Sequence, residues 1–159
     1  MSDATTGKEP AFALAVQYLK ALSFDNVGAP NSFRSAEGSA AEDSTNEIKI
    51  DVQNAPVPDD NEHFEVQTLI EVISKNKDGS ARFTVRASYA AVVLARNLPE
   101  ADLEMLLNVE TPRMTFPYLR SVISHATHEA GYPALNLSPI DFMAVHQQRK
   151  QQLEEQAGE

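Results

Sequence analysis

Histidine and carboxylate side chains are the groups in this sequence best suited to metal binding or acid–base chemistry. The histidines are His63, His125, His128 and His146. His125 and His128 are three residues apart on a predicted helix with Glu129 beside them, and such a pair could share a metal ion. No third ligand follows at a motif spacing, and the pair flanks an apolar stripe. Surface positions are therefore the better interpretation of both histidines.

The other potential chemistry is equally sparse. Asp59 and Asp60 are adjacent carboxylates in a polar loop, where a solvated turn explains them better than a catalytic pair. The sequence has no G-x-S-x-G, P-loop or G-x-G-x-x-G motif. It contains no cysteine, which excludes disulfides and thiolate metal sites. We predict no catalytic residue, no metal and no cofactor, and hence a protein that is not an enzyme.

Composition limits the possible partners. The 159 residues are enough for one domain, and 42% of them are hydrophobic. There are 23 acidic and 13 basic residues, a net charge of −10, which argues against nucleic-acid binding and favours basic partners. No apolar run approaches the ~20 residues of a membrane span, and the N-terminus lacks the features of a signal peptide. A cytoplasmic protein without membrane insertion is expected.

The elements that must position the side chains are strands followed by helices. Residues 12–24 fit both a strand and a helical face. Ile48, Ile50 and Val52 alternate with polar residues and predict a half-buried strand. Residues 64–74 and 81–94 predict a hairpin, with Asp78-Gly79 as its turn signal. Strands followed by helices indicate an α+β fold with an antiparallel sheet.

The last third predicts three helices. The first covers residues 99–109 and the second residues 115–130. The third starts at Ser138, which is a good N-cap before Pro139. Residues 1–10 predict a disordered tail, 11–147 the folded domain, and 148–159 a polar, mobile C-terminal tail.

Residues 131–142 form a stiff, apolar connector without a catalytic side chain. Pro133 and Pro139 bias it toward extended geometry. Phe33 is a lone aromatic in the long polar loop 26–46, with no local core to join. Large exposed apolar patches mark interaction sites. The candidate binding residues are therefore aromatic or aliphatic: Phe33, Tyr118, Tyr132, Leu135, Leu137 and Phe142. For Leu135 and Leu137, a position in the core and a position on the surface are equally good interpretations.

Two separated motifs resemble those of the SecB family of export chaperones. Residues 115–120 read T-F-P-Y-L-R, and residues 132–142 read Y-P-A-L-N-L-S-P-I-D-F. They are similar to the family's F-P-Y-x-R helix start and its F-P-x-L-N-L-x-P-V-[ND]-F segment. Residues 22–30, L-S-F-D-N-V-G-A-P, resemble the family's I-S-F-E-x-P-N-A-P. The resemblance extends from about residue 12 to residue 145.

The resemblance implies a four-stranded antiparallel sheet with helices packed on one side. It assigns residues 12–24 to the first strand and residues 26–46 to a crossover loop. It also implies a homotetramer, a dimer of dimers: two protomers pair through their sheets, and two dimers join through the helix 115–130. The residues assigned to that contact are Phe116, Leu119, Val122 and Ile123.

The implied function is that of a holdase. Such a chaperone holds unfolded secretory precursors in apolar grooves, here lined by the candidate binding residues, and delivers them to the translocation ATPase SecA. The acids assigned to the SecA contact on the outer sheet face are Asp25, Glu65 and Glu71. Ala21 and Arg86 stand where the family often has acids, and Thr84 where it often has leucine, so the SecA contact is the less secure part.

Two alternatives remain open at this point. One is a SecB-like chaperone that serves a toxin–antitoxin pair and binds an antitoxin segment. The other is a small-molecule or metal-dependent protein that uses His125 and His128.

Overall fold

A computed structural model of the protein describes residues 9–34 and 44–158. Within them, four strands form one antiparallel sheet in the order β1-β4-β3-β2. This confirms the predicted α+β fold, whereas the dimer of dimers stays a prediction. Most of the predicted N-terminal tail, residues 1–10, lies outside the described ranges, and so do residues 35–43 of the predicted loop 26–46. The strands are β1 (Ala11–Asp25), β2 (Thr45–Pro56), β3 (His63–Lys75) and β4 (Ala81–Arg96).

The ambiguous segment 12–24 is strand β1, as the resemblance implied. It pairs with β4 along its whole length. The register shifts between Leu14 and Val16 and again between Leu19 and Ala21, so one extra residue is inserted at each place. Each inserted residue reverses the alternation of faces. This reversal explains why the apolar pattern of β1 also fits a helical period.

Thirty consecutive residues after β4 are helical, where the sequence pattern predicts two separate helices. They comprise α1 (Glu100–Met105), a π-helical turn (Leu106–Glu110) and α2 (Thr111–Glu129). Pro112 has no N–H to donate to a carbonyl of the preceding turn. The backbone N–H and the hydroxyl of Thr111 both donate to the Leu106 carbonyl, the hydroxyl at 2.7 Å. The hydrogen-bond pattern therefore changes at the turn without ending the helix.

The final helix, α3 (Phe142–Ala157), begins later than predicted. Asp141 is the N-cap in place of Ser138, because its carboxylate accepts the Ala144 N–H at 3.1 Å. Residues 138–140 stay in the extended connector. The segment predicted to be a mobile tail is helical up to Ala157. Arg149 donates to the Val52 carbonyl of β2 and lies 3.3 Å from Asp51.

The helices cover one face of the sheet, which we call the inner face. The side chains of Val66, Ile70 and Val72 of β3 are almost fully buried there. Leu119 and Ile123 of α2 are also fully buried and belong to the same core. The opposite, outer face carries no helix of the described chain. Within the described ranges, no helix is both long and apolar enough to span a bilayer.

Candidate functional site

Four aromatic rings meet where β1 ends, β4 begins and α2 ends. Phe24 stacks on Phe83 with ring centroids 5.1 Å apart, Phe83 lies 4.8 Å from Tyr132, and Tyr132 lies 4.9 Å from Phe33. We call these four residues the Phe33 cluster. Phe33 is 48% exposed while Tyr132 is buried, so the cluster leads from the core to the surface. An apolar segment of another chain can therefore contact the Phe33 ring without displacing the core.

The Tyr132 hydroxyl holds the cluster together. It donates to Asn26 Oδ1 at 2.7 Å, so the Ser32 hydroxyl, 2.8 Å away, is the donor in their shared bond. Asn26 in turn donates to the Ala130 carbonyl at 3.0 Å. These bonds connect the end of β1, the short 3₁₀ helix Asn31–Phe33 and the end of α2. They fix the loop that carries Phe33.

Gly131 lets the Phe33 ring lie close to the connector. Its φ is +97°, which is a conformation that side chains with a Cβ rarely adopt. A Cβ at this position would lie 3.0 Å from two atoms of the Phe33 ring. Phe33 is thus packed on the backbone of the connector, contrary to the prediction that it has no core to join.

A second aromatic pair lies midway along α2. Tyr118 is 51% exposed and stacks on Tyr89 of β4, with centroids 5.9 Å apart. Nearby on the inner face of β1, Leu19 pairs in register with Tyr89, and Leu22 with Ala87. Both leucines are more than two-fifths exposed. The inner face therefore continues beyond the helices as an exposed apolar strip along β1.

The predicted binding residues separate into exposed and buried groups. Phe33 and Tyr118 are half exposed, and Leu135 is partly buried against the core. Leu137 and Phe142 are 3% and 1% exposed, and Phe142 packs edge-on against Phe116 at 5.9 Å. A bound segment does not reach these two side chains in this conformation, and their assignment to a groove stays a prediction.

The helix stripe assigned to the tetramer contact is also largely internal. Phe116, Leu119 and Ile123 are buried against the protomer's own sheet, and Val122 is partly buried. The exposed side of α2 carries Met114, which is 42% exposed, and Tyr118. In this conformation a second protomer would contact α2 through this exposed side, and the assignment of the four stripe residues to a tetramer contact stays a prediction.

The three acids assigned to the SecA contact lie on the outer face, in different electrostatic settings. Glu65 accepts hydrogen bonds from Lys20 and Tyr18, and Glu71 from Arg86. Lys20 and then Tyr18 lower the pKa of Glu65, and the Glu65 carboxylate raises the pKa of Tyr18 to about 12. Among the described residues, Asp25 has no ion-pair partner.

A shallow depression of about 590 Å³ crosses all four strands of the outer face. The strand register aligns Ala21, Ser88, Leu69 and Asp51 across its floor. The small side chains of Ala21 and Ser88 leave this space beside the charged pair of Glu71 and Arg86.

The histidines do not form a metal site with the described residues. His125 and His128 are exposed on α2. His63 Nδ1 lies 2.7 Å from Asp60 Oδ2, and Asp60 also accepts the Glu62 and His63 backbone N–H groups. The Glu62 N–H is the main cause of the lowered pKa of Asp60. Over the described ranges, no three histidine, cysteine or carboxylate side chains are grouped to hold a metal.

Sequence reasoning missed four residues that contact the two aromatic groups described above: Phe24, Phe83, Arg82 and Tyr89. The alternation along β4 places Phe83 and Tyr89 on one face of their strand, but the pairing of β4 with β1 is needed to bring Phe24 next to Phe83. A lone arginine in a strand carries no local signal. Its contact with Tyr132 joins residues fifty positions apart in sequence.

Comparison with known proteins gives one consistent family. A family model described as "Preprotein translocase subunit SecB" matches residues 5–153. The Protein-export protein SecB of Bartonella bacilliformis is 39% identical over 142 residues, covering 89% of this chain and 85% of that protein. Protein-export protein SecB 1 of Gluconobacter oxydans is 38% identical over 169 residues, covering 99% and 95%.

A solved structure has a similar fold. It is the SecB-like chaperone of Mycobacterium tuberculosis in complex with a ChAD peptide from the HigA1 antitoxin. It superposes with a TM-score of 0.64 over 81% of this chain and 90% of that one. The sequences are 16% identical, so the likeness concerns the fold alone.

Proposed function

The chain belongs to the SecB family, whose members are chaperones and not enzymes, and on that premise we propose that it is a holdase for unfolded secretory precursors. The observation that carries the proposal is the family match across residues 5–153, almost the whole chain. A holdase needs neither a cofactor nor a catalytic group, because it acts by binding the unfolded state preferentially.

The exposed apolar surfaces support this proposal physically. The Phe33 cluster, the Tyr118–Tyr89 pair and the leucines of β1 lie on the inner-face side of the protomer. Aromatic and aliphatic side chains bind hydrophobic segments with little dependence on sequence. The net charge of −10 favours the solubility of a protein that carries such surfaces.

The experiment compares one precursor in its unfolded and folded forms. The chain is mixed with each form, and the complexes are detected by native mass spectrometry and by suppression of aggregation. We expect capture of the unfolded form alone. Phe33→Asp should weaken capture with little change in folding stability, because Phe33 is half exposed at the end of a short 3₁₀ helix. Equal capture of both forms, or of neither, contradicts the holdase proposal.

A matched control is available in the same 3₁₀ helix. Asn31→Asp introduces the same charge at an exposed position without removing the aromatic ring. If both variants lose capture equally, the loss comes from charge and Phe33 does not contact the precursor.

We further propose that the precursors are delivered to SecA through the outer face. The three acids assigned to this contact do not support the proposal equally, since Glu65 and Glu71 are already paired with cations of the same chain. Asp25 is the acid best placed to offer its charge to a partner. Asp25→Asn should therefore reduce binding of SecA, measured by calorimetry, while Glu155→Gln, at an exposed position of α3 and away from the outer face, should not.

The likeness in fold to the chaperone solved with an antitoxin peptide favours a second candidate function, the binding of an antitoxin segment. That protein was solved with an antitoxin peptide, so the fold accommodates such a segment. Rescue of an export-defective strain by this chain would favour precursor export, whereas protection of a cognate antitoxin without rescue would favour the second function. The relatives of 33–39% identity named as protein-export proteins make export the leading proposal.

A further inference from the structure

Strand β2 forms one edge of the described sheet, at the opposite side from β1. The Val57 N–H, just beyond the end of β2, donates to the His63 carbonyl of β3 at 2.9 Å. Because the pairing of antiparallel strands alternates, the odd-numbered residues of β2 direct their backbone groups toward β3. The N–H and C=O groups of Ile48, Ile50 and Val52 therefore point away from the sheet, where another strand can bind them.

The helix α3 holds one cation on this edge. The Arg149 guanidinium donates to the outward Val52 carbonyl and lies 3.3 Å from the Asp51 carboxylate. The helix is tied to α1 beside this contact, because Lys150 Nζ lies 2.9 Å from Glu104 Oε1. A cleft of about 290 Å³ separates the rest of α3 from the edge of β2. The direct polar contact of α3 with the edge is thus made by Arg149.

The edge of β2 is complementary to a second copy of itself. In an antiparallel pair with Ile50 opposite its counterpart, the outward backbone groups of the two strands face one another. The same register places Ile48 opposite Val52 on one face and Lys49 opposite Asp51 on the other. Apolar and oppositely charged side chains are then matched twice, as a two-fold symmetric contact requires. The sequence of β2 therefore suits pairing with another β2.

Arg149 occupies two groups that this pairing uses, the Val52 carbonyl and the Asp51 carboxylate. We propose that the β2 edge is a self-association surface for a second copy of this chain, and that Arg149 of α3 keeps it closed. Movement of α3 away from the edge frees both groups at once. The inference concerns assembly and does not depend on the proposed holdase function.

The first test replaces Arg149 with alanine. Its side chain is 46% exposed, so the fold should be kept. Molar mass is measured by size-exclusion chromatography with light scattering at equal protomer concentrations. Arg149→Ala should give assemblies of at least about twice the wild-type mass, because each opened edge can join two of them. The matched control Lys150→Ala removes the neighbouring cation of α3, which pairs with Glu104, and should keep the wild-type mass.

A single cysteine tests the register, since the chain has none of its own. In the Arg149→Ala background, Ile50→Cys lies opposite its counterpart with Cα atoms about 5.5 Å apart, a separation that a disulfide spans. Ile48→Cys is the matched control, because it lies opposite Val52. Mild oxidation should give covalent dimers with Ile50→Cys and not with Ile48→Cys, as seen by non-reducing electrophoresis. With Arg149 present, Ile50→Cys should give few such dimers.

Three outcomes would overturn the inference. Arg149→Ala could keep the wild-type mass without cross-linking through Ile50→Cys, so that no closed edge exists. Lys150→Ala could gain as much mass as Arg149→Ala, so that closure is not a property of Arg149. A larger assembly without the Ile50→Cys cross-link would mean that copies join elsewhere than through paired β2 strands. In each case the wild-type chain can still capture unfolded precursors, so the holdase proposal stands or fails by its own test.

Discussion

Thr68 lies on the inner face of β3 and is fully buried. Its hydroxyl oxygen has no hydrogen-bond partner among the described residues. An unsatisfied buried hydroxyl costs free energy because it loses its bonds to water. Thr68→Val replaces the hydroxyl with a methyl group of similar size, and should raise the free energy of unfolding by about 1 kcal/mol. Chemical denaturation at a fixed protomer concentration measures this change.

Thr115→Val is the control for that prediction. Thr115 is also buried, but its hydroxyl donates to the carbonyls of Thr111 at 3.2 Å and Pro112 at 3.3 Å. Its replacement should leave stability unchanged or lower it. A lower stability for Thr68→Val as well would show that the Thr68 hydroxyl has a partner in solution.

Glu65 makes the outer face sensitive to acid. Lys20 is the main cause of its lowered pKa, below the ordinary value of 4.5. Because the folded-state pKa is lowered, the stabilisation is present above pH 4.5 and is lost as pH falls through the folded value. Lys20→Met should move the Glu65 pKa back upward, as followed by NMR titration of the carboxyl carbon. An unchanged pKa in the variant would contradict the Lys20 contact.

At the scale of elements, the connector between α2 and α3 positions Phe33. Gly131→Ala should strain a backbone with φ of +97° and push the Phe33 ring away, so both stability and precursor capture should fall. Gly79→Ala is a matched control, because Gly79 has a φ of +88° and open space around its Cβ position. That variant should lose comparable stability but keep full capture. Equal capture by both variants would exclude a role for the Phe33 position.

The same elements show what sequence patterns predict well and what they do not. The alternation in β2 to β4 predicted the three strands, and the Asp78-Gly79 turn predicted the β3–β4 hairpin, because each signal is local. The bulges of β1 and the π-helical turn arise from pairing and packing between distant residues, so no local period reveals them. Leu137 and Phe142 were predicted as binding residues because an apolar side chain has the same pattern in a core and in a groove.

At the scale of the whole molecule, the dimer of dimers stays a prediction, and if it forms through α2 the exposed side of this helix is the surface that would join the two dimers. Met114 is 42% exposed on this side, and it contributes no buried core of its own. Met114→Asp should convert tetramers to dimers in native mass spectrometry by placing a charge in an apolar contact. Gln148→Asp, at an exposed position of α3, should leave the tetramer intact. Tetramers in both variants would place the contact elsewhere.

Strand β1 forms one edge of the sheet, so one row of its backbone N–H and C=O groups has no partner strand within the described protomer. It is extended and carries four large apolar side chains, each at least two-fifths exposed: Leu14, Val16, Leu19 and Leu22. An extended, apolar segment with unpaired backbone is also what a holdase recognises in an unfolded chain. An isolated protomer therefore resembles the unfolded segments that it is proposed to bind, and newly made copies of this chain would compete with precursors for the same apolar surfaces.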